Sequence, residues 1–335
     1  MTNRAILATA FLASNGWREA DRSFLAGDAS NRRYERVKRG TKSAVFMDSP
    51  PGQGDDPETF LFIADHLASL GLSPPQCYAK DLKNGFLLLE DLGDEIYARC
   101  LTASPAAQTL LYTAATDVLI RVQNNPPPPG LLNFSCSEWA EAACLAIEWY
   151  RFAITGNHCD TAAFSGVLGD ALSHHADGPR VMILRDYHAE NLLWLPDRTG
   201  LARVGILDFQ LAQLGQPSYD LVSLLQDARR DVRLEIEAAM VLHFVDTTGC
   251  NEAAFRTSYA VLGAQRALRI LGIFARLCLK EGKPSYLKLL PRVWGQLQQN
   301  LANPALANLA TICEMIPEPT PGVVTKIGDQ CGHFH

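Results

Sequence analysis

"LRDYHAENLLW", residues 184–194, joins two apolar runs through a polar stretch holding one acid, one imidazole and one amide. Asp186 and Asn191 stand five positions apart, and the next apolar run, "VGILDFQ" at 204–210, closes on a second acid, Asp208. Short apolar runs bounded by turn residues read as buried strands, so these three side chains sit at strand ends. Asp and Asn are common turn residues, and a bare Asp-x4-Asn arises by chance. The compact strand-turn-strand that separates it from an Asp-Phe pair is more specific. A carboxylate in such a loop can orient or deprotonate a hydroxyl. Mg²⁺ takes hard oxygen donors, one or two from protein and the rest from water and phosphate. Asp186, Asn191 and Asp208 thus meet the needs of metal-assisted phosphoryl transfer, where the protein positions groups and offsets charge.

Outward from that stretch the chain changes character once. "RAILATAFLAS", 4–14, reads as a helix ended at Asn15-Gly16; it lacks the polar run and cleavage site of a signal peptide. Strand signals follow at 23–25, at 34–38 and in "KSAVFMDSPPG", 42–52, where Pro50-Pro51 stops the strand, with the turn "AGDASN" at 26–31 between the first two. Asp56-Pro57-Glu58 gives an acidic helix start with Pro near its first position. "GFLLLEDLGD", 85–94, reads as a buried strand running into a polar link. Beyond it the pattern is helical, broken by Pro126 to Pro129 and by the two short strands that flank the opening motif. The expectation is an α+β fold: an antiparallel β-rich lobe at 1–93 and a mainly helical lobe at 94–335.

Composition narrows the function classes. With 335 residues, 47% hydrophobic and 20% charged, the chain has ordinary globular content. A net charge of -6 and the absence of a dense Lys/Arg run argue against nucleic acid as a partner. No segment has the roughly 18 uncharged apolar residues of a membrane span, and no obligate protein partner is evident. Nine scattered cysteines without a CxxC fit reduced thiols and a cytoplasmic location. The tail "GDQCGHFH", with Cys331, His333 and His335, reads as a disordered end rather than a metal site.

"LRDYHAENLLW", "GILDFQLAQLGQPSYDLVSLL" and "LLLEDLGD" together resemble the protein-kinase-like aminoglycoside phosphotransferase family, over roughly residues 20–300. The resemblance implies a bilobal kinase-like fold, ATP and Mg²⁺ as cofactors, Asp186 as catalytic base, and Asn191 and Asp208 as metal ligands. It implies that Asp220, opening the helix after "GQPSY", braces the catalytic loop by accepting backbone N–H bonds; an N-cap needs the same carboxylate. Gly27, Asp28, Ala29, Ser30 and Asn31 would surround the phosphates with backbone N–H groups, although that turn alone is an ordinary hairpin. The Glu90 carbonyl and the Leu92 N–H would pair with adenine.

Three positions depart from the family pattern. The strand carrying an ATP-pairing lysine has Met47 in "AVFMD", so Lys42, Arg33 or another nearby cation would have to substitute. Leu184 stands where a His often lies two residues before the base, and Gln210 replaces a glycine after Asp208-Phe209. At finer grain "GDASNRRYERV", "FMDSPPG" and "RILGIFARL" resemble the anomeric N-acetylmuramate/N-acetylglucosamine kinases, cytosolic members acting on a sugar C1 hydroxyl in cell-wall recycling, whose third strands also tend to lack the lysine. The partner would then be a small sugar or amino sugar. Glu138, Glu141 and Glu148 on one helix face, with Trp139, Trp149 and Tyr150 nearby, and Arg266, Arg269 and Arg276 on another, read either as solvated charged faces or as parts of a substrate cleft. Arg185, His188, Asp227, Arg229 and Arg230 are further substrate candidates. Alternative readings are an antibiotic phosphotransferase, a choline- or homoserine-type kinase, and a non-catalytic pseudokinase.

Overall fold

The computed structural model describes residues 3–26, 32–53 and 56–334. In chain order the elements are α1 (Asn3–Ser14), β1 (Asp21–Ala26), β2 (Arg33–Arg39), β3 (Lys42–Asp48), α2 (Pro57–Ser69), β4 (Cys77–Asp81), β5 (Phe86–Glu90), α3 (Tyr97–Ala103), α4 (Gln108–Gln123), α5 (Cys136–Ala143), α6 (Phe152–Thr155), α7 (Ala162–His175), β6 (Val181–Ile183), β7 (Leu192–Trp194), β8 (Val204–Ile206), β9 (Gln213–Gly215), α8 (Tyr219–Leu225), α9 (Leu234–Thr248), α10 (Glu252–Glu281), α11 (Leu290–Leu301), α12 (Ala307–Cys313) and α13 (Pro321–Gly328). They form two compact units, Met1–Pro128 with Ala189–Ala212, and Pro129–His188 with Gln213–His335. Strand gives way to helix after Glu90, yet α3 and α4 group with the sheet, because α4 packs on β8 and on the turn before it. The compact units therefore do not coincide with the lobes 1–93 and 94–335 of the sequence reading.

The first unit is built on an antiparallel sheet of order β1-β2-β3-β5-β4. Alternation in β2 and β3 puts Val37, Ala44 and Phe46 on one face, where they meet Ala8, Phe11 and Leu12 of α1 and Phe86 and Leu88 of β5. Three phenyl rings at its centre lie 5.3–6.0 Å apart, and Arg4 of α1 bonds Asp48 at the end of β3 at 2.8 Å. Asp56 caps α2 by accepting the Glu58 N–H at 2.9 Å, with Pro57 next to the cap as expected. The edge strand β4, "CYAKD", was not anticipated. It has no β-branched residue, and pairing with the apolar β5 supplies what its own propensity does not.

The hairpin of β7 and β8 belongs to this unit. Its register is Leu192↔Ile206, Leu193↔Gly205 and Trp194↔Val204. Ile206 N–H donates to Ser73 carbonyl at 3.0 Å, and Ala98 N–H of α3 to Ala189 carbonyl at 3.0 Å. With Trp194 N–H of β7 donating to the Glu95 carbonyl at 2.8 Å, both strands are tied to the segments that follow α2 and precede α3.

The second unit is helical around α10, whose 30 residues span about 45 Å at the helical rise. Gly272 lets α10 approach the chain at Leu145: a Cβ there would lie 2.2 Å from a backbone atom. A two-stranded ribbon pairs β6 with β9, Ile183 opposite Gln213, and every residue of α8 is buried. The tail is ordered through Phe334. Gly332 N–H donates to Cys278 carbonyl at 2.9 Å and Phe334 N–H to Leu279 carbonyl at 3.1 Å, so the expected disordered end is instead docked on the end of α10.

Candidate active site

The β7–β8 hairpin decides where two of the predicted residues lie. Asn191 immediately precedes β7 and Asp208 follows β8 by one residue, so antiparallel pairing returns them to the same end of the hairpin. Leu207 N–H donates to the Asn191 carbonyl at 2.9 Å and holds that end closed. Asp208 has φ of +57°, in the left-handed region that Asp tolerates better than most residues. Phe209 beyond it stacks on Phe60 at 4.8 Å. The backbone turns between an exposed carboxylate and a buried ring. Oδ1 of Asp208 receives the Gln210 side-chain amide at 2.8 Å and Arg32 Nη2 at 3.5 Å. One amide oxygen and one exposed carboxylate at one hairpin end are hard donors of the kind Mg²⁺ takes beside water and phosphate. Among the described residues no group of three or more His, Cys, Asp or Glu could hold a metal.

In the second unit Asp186 lies on a strained loop. Its N–H donates back to the Leu184 carbonyl at 2.9 Å across Arg185, whose φ is +70°. That closes a γ-turn of the rare positive-φ kind, a conformation kept only where the surroundings over-determine it. Asp220, fully buried on α8, accepts Leu184 N–H at 2.5 Å and Arg185 N–H at 2.9 Å. Ser223, one turn later, donates to the Arg185 carbonyl at 3.2 Å and receives Arg266 Nη2 at 2.9 Å. Asp220 and Ser223 thus hold the turn before Asp186 by its backbone, and Arg266 in turn holds Ser223. The N-cap of α8 is Ser218, so Asp220 serves the loop and not its own helix end. Burial pushes the Asp220 carboxyl up to about 7, against the pull of its two N–H donors. We expect Asp220→Ala to cost on the order of 3 kcal/mol in urea unfolding, because two buried N–H groups lose their acceptor. Unfolding free energy within 0.5 kcal/mol of wild type, by an approximate ±0.5 surface-substitution scale, would count against the brace.

The predicted substrate residues divide. His188 is buried and lies 3.4 Å through Nε2 from Arg229 Nη1. Asp227 is also buried and accepts the Arg229 N–H at 2.8 Å. Arg230 is half-buried. Arg266, for which a solvated face and a substrate cleft were both open, is buried because neighbouring helices cover α10, which excludes the solvated face; burial lowers its pKa. Arg269 reaches the Tyr219 hydroxyl at 3.4 Å. Glu138 closes a capping box with Ser135 at the exposed start of α5. Trp139 is buried and packs on Tyr219 at 4.9 Å, so its ring is core and offers no face to solvent.

Burial, with Arg229 and Arg266 adding to it, lowers the His188 pKa to about 3. The unfolded imidazole titrates near 6.5, so between these values the unfolded chain binds a proton that the folded chain refuses. Stability from neutral His188 is present above pH 6.5 and lost as pH falls toward 3. His188→Gln is therefore expected to flatten the acid limb. Below pH 6.5 wild type should lose up to about 1.4 kcal/mol per pH unit relative to the variant, measured by urea unfolding at pH 7, 6, 5 and 4. Parallel curves would refute this.

For nucleotide contacts, Gly27, Asp28, Ala29, Ser30 and Asn31 lie outside the described residues. Glu90 ends β5, pairs opposite Ala44, and carries a 2.5 Å ion pair to Arg198. Leu92, half-buried, packs over Gly205 of β8. Sequence reasoning did not single out Arg32, Ser223 or the bond from Gln210. Once the register is known, strand parity picks out Arg32, which lies two residues before Tyr34, the partner of Met47.

The phosphotransferase enzyme family matches residues 21–252. A protein of Caulobacter vibrioides named N-acetylmuramate/N-acetylglucosamine kinase is 38% identical, covering 92% of this chain and 95% of that protein. A Pseudomonas aeruginosa protein of the same name is 33% identical, covering 91% of this chain and 92% of its own. The crystal structure of an ADP-bound aminoglycoside phosphotransferase superposes with a TM-score of 0.59 at 13% identity, over 85% of this chain and 97% of that one, which speaks to the fold. Sequence match and kinase-like fold agree that the chain belongs to the phosphotransferase enzyme family and is a small-molecule kinase.

Proposed function

We propose that the protein transfers the γ-phosphoryl group of ATP to the C1 hydroxyl of an amino sugar, N-acetylmuramate or N-acetylglucosamine. The observation that carries the chemistry is the pair of supports around the motif: a hairpin that returns Asn191 and Asp208 to one end, and a braced γ-turn that holds Asp186. The sugar rests on the name of relatives matching nine-tenths of the chain.

In this reading Asp186 orients the acceptor hydroxyl and takes its proton as the oxygen bonds to phosphorus. The bond from phosphorus to the bridging oxygen breaks, and ADP departs. Asn191 and Asp208 would hold Mg²⁺, which when bound offsets charge on the phosphates. Asp220, Ser223 and Arg266 are positioning residues that keep the Asp186 backbone in place. The Glu90 carbonyl and Leu92 N–H are assigned to adenine, and residues 27–31 to the phosphates. His188, Asp227 and Arg229 remain as candidate acceptor contacts.

The test is a panel of N-acetylmuramate, N-acetylglucosamine, kanamycin, choline and homoserine with MgATP, the product read by ³¹P NMR. A phosphate on C1 of either sugar is expected. Phosphorylation of another acceptor with none of the sugars would move the protein to a different substrate class. Failure to phosphorylate any acceptor in the panel would remove the kinase reading.

A further inference from the structure

We propose that Arg32 supplies the cation that neutralises the nucleotide phosphates, in the place where related kinases use a strand lysine and this chain has Met47. The inference rests on the kinase reading and adds to it a residue from outside the expected strand.

Sheet register makes the case. Tyr34 on β2 lies opposite Met47 on β3, and Met47 opposite Leu87 on β5. Directly paired residues share a face. Phe46 and Ala44 face α1, so Met47 faces the other way. Two residues before Tyr34, alternation brings Arg32 to the face of Met47, beyond the last paired residue of β2. There its side chain is 6% exposed, and Nη2 stands 3.5 Å from Oδ1 of Asp208.

The cations named from sequence lie elsewhere. Arg33 pairs with Asp48 on the α1 side of the sheet, and its side chain is 63% exposed beside Glu35. Lys42 pairs with Arg39 at the far end of the strand.

A guanidinium is weakly hydrated, always charged and shaped to grip two phosphate oxygens. Set beside the carboxylate assigned to the metal, it is where the phosphates and Asp208 would share a counter-charge. Asp208 also receives Gln210, so its orientation does not depend on Arg32 alone.

The test is calorimetric titration of wild type and Arg32→Met with MgATP and, separately, with adenosine, which has no phosphate. Arg32→Met is expected to weaken MgATP by about 10- to 100-fold, the range for a lost charge-assisted contact, and to leave adenosine unchanged. The swap Arg32→Met with Met47→Lys is expected to regain most of that loss, since it returns a cation to the same face. Equal MgATP affinity, or equal weakening of MgATP and adenosine, overturns the proposal, as does a swap that regains nothing. Should Arg32→Met not fold, Arg32→Gln is read by the same comparison. Wild-type protein that fails to bind MgATP would sink the kinase reading itself. Wild-type binding and turnover with an indifferent Arg32 variant would sink only this inference.

Discussion

Asp186→Asn is expected to lower kcat by about 10²- to 10⁴-fold, the usual contribution of a positioned acid or base, with MgATP affinity within about twofold of wild type on the same uniform-binding logic. The substitution is nearly isosteric. The contacts that shape the loop are backbone ones, Leu184 and Arg185 to Asp220 and Ser223 to the Arg185 carbonyl, and they do not involve the replaced carboxylate. Folding should therefore survive, and the lost rate should report proton handling. Steady-state rates beside a binding titration separate the two quantities. An amide variant turning over at the wild-type rate would remove Asp186 from the mechanism, and parallel loss of ATP affinity would recast it as a binding residue.

Asp208→Asn should have the second large effect. Asn tolerates the left-handed backbone at φ of +57°, so the turn after β8 should persist and Phe209 should stay on Phe60. The side chain would keep an oxygen but lose its charge, and it is one of the two protein donors assigned to Mg²⁺. Turnover is expected to fall by at least about 10³-fold, and the magnesium concentration for half-maximal rate to rise, because a neutral ligand offsets none of the ion's charge. A magnesium titration of the residual rate checks this. An unshifted magnesium response would place the ion elsewhere.

Much of the fold was legible because its strands announce themselves by alternation or by unbroken apolar runs. Ala44 and Phe46 alternate with Val45 and Met47 across the two faces of β3, and "FLLLE" is buried nearly throughout. What escaped was short or polar. β4 reads as loop until β5 is beside it, and β9 is only three residues, Gln213–Gly215, held by β6.

The placement of the candidate residues was legible where one motif fixes the local geometry. The spacing of Asn191 and Asp208 around a hairpin is a local property, and so is the helix that presents Asp220. For Arg266 the solvated and the cleft readings could not be separated from sequence, because a stripe on a helical wheel says nothing about what covers it. Neighbouring helices pack on α10, so Arg266 is buried while Arg269 and Arg276 are half-buried. Arg32 was passed over for its neighbour Arg33 because parity decides the matter, and parity needs the register. Trp139 was offered to a sugar on grounds of chemistry alone, and packing claimed it for the core.

The division of the chain has a consequence for its synthesis. The first unit is made of two separate stretches, with β7 and β8 arriving some sixty residues after Pro128. As the polypeptide leaves the ribosome, the sheet can assemble early, but Ser73 and Ala98 must wait for the late hairpin to meet their hydrogen-bond partners. The nascent protein would thus hold an unfinished half until residue 212 is made. Cutting the gene at a linker such as the Pro126–Pro129 run would strand that half without its closing piece.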